Sequence, residues 1–156
     1  MFDPIFSKIL VAFDGSESSK RALDIAAKTV AMFKGELIIL TVVPHVSLPI
    51  LSDEGVPPIR AMDIQDTIIQ MRELYRKTLE SAVVEVRERY PHLTFEAVFL
   101  EGRPSAIIVD EAEKRDVSLI VMGSRGLGGI TGWILGSTSR KVVEQCTKPI
   151  LITKEV

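Results

Sequence analysis

Five short apolar runs, separated by stretches whose apolar residues recur every three or four positions, set the rhythm of this chain. Lys8-Ile9-Leu10-Val11-Ala12-Phe13 is almost continuously apolar and ends in Asp14-Gly15-Ser16, the pattern of a strand buried on both faces and followed by a turn. Ser16 or Ser18 can cap the helix that follows, whose apolar face is Ala22, Ile25 with Ala26, Val30 and Phe33. Gly35 stands where a helix ends in a left-handed residue. Leu37-Ile38-Ile39-Leu40-Thr41-Val42-Val43 is the second buried strand.

Residues 44–66 break the rhythm. Pro44, Pro49, Pro57 and Pro58, with Gly55 among them, predict a long surface excursion. A long helix is expected over residues 66–90, with Ile68, Met71, Tyr75, Leu79, Ala82, Val86 and Tyr90 on one stripe and Pro91 as its stop. Residues 94–100 read as the third strand. Glu101-Gly102-Arg103-Pro104 then turns into a short helix, opened by Pro104, that buries Ile107, Ile108 and Ala112. Leu119 to Met122 form the fourth strand. A last helix over residues 137–146 buries Val142, Val143 and Cys146, and Ile150-Leu151-Ile152-Thr153 is the fifth strand, with Pro149 suited to a strand start or a sheet edge.

Apolar strands alternating with helices predict a five-stranded parallel sheet with helices on both faces, a three-layer α/β sandwich built as one domain over residues 1–156. Open sheets of this kind bind ligands outside the carboxyl ends of the strands, where the strand order reverses. Asp14-Gly15-Ser16 and Gly123-Ser124-Arg125-Gly126 both follow strand carboxyl ends, and they become neighbours if the first and fourth strands pair.

Composition narrows the classes. The chain of 156 residues is 46% apolar and 26% charged, as in ordinary globular domains, and its net charge of −2 gives no electrostatic case for nucleic acid or an anionic membrane. No apolar run approaches the ~20 residues a bilayer span requires, and the first residues lack the pattern of a secretory leader. Cys146 is the single cysteine, so neither an intrachain disulfide nor a cysteine metal site can form; a reducing cytoplasm fits.

The stretch richest in candidate chemistry is residues 123–139, which hold six of the ten glycines. It lies between a predicted strand and a predicted helix start, where free backbone N–H groups and a positive helix end suit an anionic phosphate. It is not a Walker A loop, since no Gly precedes Lys and Ser or Thr. Nor is it a dinucleotide fingerprint, because Thr131 stands where the third Gly is needed and no acidic residue follows about 20 positions on.

The spacing Gly123-x-x-Gly126-x9-Gly136-Ser137 resembles the ATP-binding signature of the universal stress protein family. Asp14-Gly15-Ser16 after the first strand, Val121-Met122-Gly123-Ser124-Arg125-Gly126, Gly136-Ser137-Thr138 and the closing Lys148-Pro149-Ile150-Leu151-Ile152 extend the likeness over nearly the whole chain. The resemblance implies a Rossmann-like fold of the adenine nucleotide alpha hydrolase type. It implies bound ATP, or ADP or AMP, with Mg²⁺ or Mn²⁺ on the phosphates rather than a protein-held metal. By the same resemblance Ala12, Phe13 and Asp14 line an adenosine pocket, with Asp14 accepting from ribose hydroxyls. Val42 sits against the adenine, and Met122 and Gly123 bound the nucleoside. Gly126, Gly136, Ser137, Thr138 and Ser139 hold the phosphates. The final strand, residues 149–153, is an edge that pairs with its twin in a homodimer.

Several residues carry two readings. Asp14 serves as a turn residue or as a ligand group, Ser137 as an N-cap or a phosphate contact, and Arg125 as a phosphate partner or a solvated cation. His45 reads as a surface residue, His92 as belonging to the opposite end of the sheet, and Trp133 as a packing anchor among Ile130, Ile134 and Leu135. For function, a nucleotide-dependent regulatory module stands beside a slow ATP hydrolase or nucleotide-transfer enzyme. Efficient phosphoryl transfer needs a placed nucleophile, metal ligands and charge-neutralising groups, and the sequence offers only Asp14, Arg125 and hydroxyls for these tasks.

Overall fold

A computed structural model describes residues 6–46, 58–126 and 135–154. The middle of the glycine loop, with Ile130, Trp133 and Ile134, and residues 47–57 of the proline-rich stretch lie outside the described residues. In chain order the elements are β1 (Lys8–Ala12), α1 (Glu17–Phe33), β2 (Glu36–Pro44), α2 (Pro58–Arg89), β3 (Thr94–Gly102), α3 (Pro104–Lys114), β4 (Leu119–Gly123), α4 (Ser137–Gln145) and β5 (Ile150–Thr153). The strands form one sheet in the order β3-β2-β1-β4-β5, and every neighbouring pair is parallel.

Strand pleating divides the core. Ile9, Val11, Phe13, Leu37, Ile39, Leu119 and Val121 face α1 and α2; Leu10, Ile38, Leu40, Val42, Ile120 and Met122 face α3 and α4. Ile9, Leu10, Leu37, Ile39 and Ile120 lose all contact with solvent, and burying such a side chain stabilises the fold by ~1.5–3 kcal/mol each. The three-layer α/β architecture is therefore the one the alternation of elements predicts.

Local details differ from expectation where distant packing decides. In α1 the buried set is Ala22, Leu23, Ala26, Ala27 and Val30, while Phe33 is exposed and stacks instead on Phe6 at a centroid distance of 4.7 Å. Lys34, at φ 55°, takes the left-handed position expected of Gly35, which passes close to the Phe6 carbonyl. Of the three residues expected inside at α4, Val142 is buried, Cys146 is partly buried against the same core and Val143 faces solvent. Helix α2 starts at Pro58 and not near 66, so the excursion after β2 is shorter than its proline content suggests. A proline is well tolerated in the first turn of a helix, where no N–H is required.

That early start has a geometric result. The 32 residues of α2 extend about 48 Å at 1.5 Å each, whereas the nine residues of β2 or β3 cover about 30 Å. The buried anchors Leu79, Ala82 and Val86 lie in the C-terminal half. Arg72 reaches Glu101, near the end of β3, at 2.8 Å. The helix ahead of Arg72 therefore overhangs the carboxyl ends of the strands. Among the described residues no helix is long and apolar enough to cross a membrane.

Candidate functional site

β1 and β4 pair in parallel, Val11 beside Val121 and Ala12 beside Met122. From β1 the chain passes through α1 to β2 on one side, while β4 continues to β5 on the other, so the strand order reverses between them. The crevice at that reversal is where the two candidate turns meet. In the first, Asp14 Oδ1 accepts from the Ser16 N–H at 2.9 Å, and Ser16 in turn caps α1 by accepting from the Ser19 N–H at 3.3 Å. In the second, the Arg125 carbonyl accepts from Ser18 Oγ at 2.5 Å, which fastens the β4 loop to the start of α1.

The glycine loop leaves and returns at one place. The Gly136 N–H donates to the Ser124 carbonyl at 2.7 Å, and Ser139 Oγ donates to the same carbonyl at 2.9 Å. Gly136 is the N-cap of α4 and brings no side-chain cap, so Ser137 is the first helical residue rather than the cap. The N–H groups of Ser137, Thr138 and Ser139 fall in the first turn, ahead of Arg140, whose N–H donates to Gly136 at 3.0 Å. The Ser139 hydroxyl turns inward to Ser124 and Gly136, so Ser139 offers its backbone and not its side chain.

The other expected site residues separate by face. Ala12, Val42 and Met122 cluster on the α3–α4 side of the sheet, at the carboxyl ends of their strands. The Phe13 ring lies in the α1–α2 core; the Phe13 N–H donates to Leu40 and its carbonyl accepts from the Thr41 hydroxyl at 2.7 Å. Only the backbone of Phe13 can border a ligand on the face of Ala12. Gly123 is fully enclosed: a Cβ there would lie 2.7 Å from Ser18 Cβ and 2.9 Å from the Ser18 carbonyl carbon. Its lack of a side chain is explained by helix-on-strand packing. Gly126 is exposed, and a Cβ there would meet Asp14 Oδ2 at 2.8 Å, so this glycine keeps open the space beside the carboxylate. Arg125 is half-buried.

Helix α2 brings Tyr75, which the stripe pattern assigned only to packing, and Thr78 and Arg72, which lie outside that stripe. Thr78 lies against the Asp14 turn: a Cβ on Gly15, which has φ 85°, would meet Thr78 Cγ2 at 2.5 Å. Burial first, and then the charge of Asp14, push the Tyr75 phenol above its ordinary value. Farther along, Arg72 hydrogen-bonds Glu101 and holds its carboxyl below the usual value, with His45 Nδ1 at 3.7 Å adding to that effect. His45 is exposed, as expected of a surface residue. Nothing local in the sequence marks Arg72 or Tyr75, because their role depends on where α2 crosses the end of the sheet. Among the described residues no three His, Cys, Asp or Glu side chains gather as metal ligands.

A parallel sheet whose central reversal carries an acidic turn beside a glycine loop and a helix start defines an α/β protein of the adenine nucleotide alpha hydrolase-like class. The comparisons make the assignment narrower: the model of the universal stress protein family matches residues 6–154, and the chain belongs to that family. It is 34% identical over 150 residues to the universal stress protein YxiE of Bacillus subtilis, covering 96% of this chain and 100% of that one. The solved universal stress protein UspA of Lactobacillus plantarum superposes with a TM-score of 0.77 at 18% identity, over 97% of this chain and 99% of that one. A universal stress protein solved in complex with cAMP gives a TM-score of 0.63 at 25% identity, over 95% and 96% of the two chains.

Proposed function

We propose that this protein binds an adenine nucleotide, ATP above all, at the β1–β4 reversal and acts as a nucleotide-dependent regulatory module of the stress response. The carrying observation is the meeting of Asp14, the open space at Gly126 and the α4 start behind Gly136. The parts suit the ligand. Ala12, Val42 and Met122 offer an apolar wall to the base, and Asp14 Oδ2 offers an acceptor to ribose hydroxyls. Gly126, Ser137, Thr138, Ser139 and Arg125 supply backbone donors and a cation for phosphates, with Mg²⁺ or Mn²⁺ carried on the nucleotide. The relative solved with cAMP supports an adenine ligand. Calorimetry with ATP, AMP and cyclic AMP tests the reading: saturable binding of one nucleotide per chain is expected, and failure of all three to bind rejects it.

Turnover is expected to be slow. With ATP and Mg²⁺ the purified protein should release phosphate well below ~1 s⁻¹, the low end of ordinary enzyme rates. Faster release that is lost in Asp14→Asn would place the protein among the hydrolases instead.

The sheet edge bears on assembly. β5 is an outer strand, and Leu151 is 41% exposed while Ile150 and Ile152 pack towards the α3–α4 core. An apolar parallel edge invites pairing, and a two-fold pairing of residues 149–153 with a second copy covers it. Leu151→Asp changes the exposed position twice per dimer and leaves the core untouched. In sedimentation the wild type should run as a dimer at tens of micromolar, roughly the range at which standard-size interfaces hold, and Leu151→Asp as a monomer. A monomeric wild type would exclude this assembly.

A further inference from the structure

We propose that the cleft between α1 and α2 binds the hydrocarbon chain of a free, single-chain fatty acid, with its carboxylate on Lys20. The cleft lies on the face of the sheet opposite Ala12, Val42 and Met122, so this inference does not depend on the proposed function. Helices α1 and α2 cover this face and are tied at two levels. Thr78 packs against Gly15 at one, and Arg89 Nη2 donates to Asp24 Oδ1 at 3.1 Å at the other. Between those ties the helices part over a cavity of about 330 Å³. Its lining keeps helical spacing on both sides, from Lys20 to Ala27 on α1 and from Thr78 to Arg89 on α2. Phe13, Leu23, Ala27, Ala82 and Val86, all buried, make its floor apolar.

Size and charge select the occupant. The cavity is more than twice the ~150 Å³ that admits a benzene ring, so it takes about a dozen carbons. From Thr78 to Arg89 the helix rises about 16 Å, close to the length of such a chain when extended. A space of these proportions suits one alkyl chain, whereas a peptide would bring backbone polar groups that the floor cannot satisfy. The rim decides the head group. Arg89 is held by Asp24 at 3.1 Å and by Glu85 at 3.2 Å, and Asp24 also binds Lys28 at 2.6 Å. Lys20 pairs with Glu17 at 3.0 Å, an exposed contact between neighbours on one helix that contributes little and exchanges readily. Lys20 is therefore the lining cation most available to an anion, and a carboxylate there leaves its chain to lie along the floor.

Calorimetry with octanoate, decanoate and dodecanoate, each below its micelle concentration, tests the cleft. Saturable binding of one dodecanoate per chain is expected, with affinity rising about fourfold per added methylene, as burial of a CH₂ group predicts. Ser81 lines the cavity from an exposed position, so Ser81→Trp fills the cleft and leaves the core alone. That variant should lose the binding while its melting temperature stays near that of the wild type. Lys20→Gln should weaken dodecanoate about two- to fivefold, the span of an exposed ion pair, and leave dodecanol unchanged. A wild type that binds no dodecanoate, an affinity indifferent to chain length, or undiminished binding in Ser81→Trp overturns the inference. Retention on phosphatidylglycerol vesicles in place of binding to the free acid overturns it as well, and assigns the cleft to a membrane surface. Equal affinity of Lys20→Gln and the wild type for dodecanoate overturns the placement of the carboxylate.

Discussion

Gly126→Val should abolish ATP binding and leave the fold intact. The position is exposed, and the nearest atom to an added Cβ is Asp14 Oδ2 at 2.8 Å, the far end of a side chain and not backbone. The native state can therefore accommodate the change with a stability cost of about 0.5 kcal/mol or less, as at most surface sites. The space lost is that beside the carboxylate, where the ribose and phosphates are proposed to lie. ATP at 100 times its Kd should stabilise the wild type by ~2.7 kcal/mol, which for a domain of this length raises the melting temperature by roughly 5–10 °C. Gly126→Val should melt with the wild type in the absence of ATP and show no rise in its presence. An undiminished rise would move the nucleotide away from Asp14. Gly136 is a poorer probe, because its substituent would press on the Ser124 carbonyl at 3.3 Å and disturb the start of α4 itself.

Gly123→Ala should have the opposite profile, a large loss of stability before any ligand is added. Its Cβ would fall 2.9 Å from the Ser18 carbonyl carbon, and backbone cannot swing aside as a carboxylate can. Relief requires α1 to move off β4, which also strains the bonds from Ser18 Oγ to Arg125 and from Thr153 Oγ1 to Ser18. Overpacking of a close-packed interior typically costs 1–3 kcal/mol, and the backbone clash places this case near ~3 kcal/mol. Urea titration should show that loss as a shifted midpoint at unchanged slope, and Ser18→Gly should recover part of it by removing the opposing side chain. Gly123→Ala with wild-type stability would refute the packing account.

These two glycines show how much was legible in the sequence. The alternation of apolar runs and helical periods gives the architecture, because burial on one or two faces is recorded in neighbouring residues. The meeting of the Asp14 and Gly123–Gly126 turns was conditional on β1 pairing with β4, and periodicity carries no record of which strands pair. Family resemblance marked both glycines as ligand positions. The structure assigns one of them a packing duty against Ser18, a contact between residues more than a hundred positions apart that no local pattern announces. Phe13 was expected in the pocket and its ring is in the opposite core, since strand alternation sends adjacent residues to opposite faces. Phe33 and Val143 were expected inside by helical spacing, which gives the direction of a face but not where the opposing layer ends. Pro58 was read as part of the surface excursion, although it opens α2, where a proline leaves no hydrogen bond unmade.

The central place of β1 also sets a timetable for synthesis. One edge of this strand is satisfied early, when β2 follows it through α1. The other edge waits for β4: Lys8 exchanges hydrogen bonds with Ser118 across a separation of 110 residues. At ~5–20 residues per second, a ribosome needs roughly 5–20 s to deliver those residues. Throughout that interval Leu10 and Val11, which the finished molecule seals completely, border an open sheet edge. The nascent half-sheet is therefore the species most exposed to mispairing, and the arrival of β4 is the step that ends its exposure.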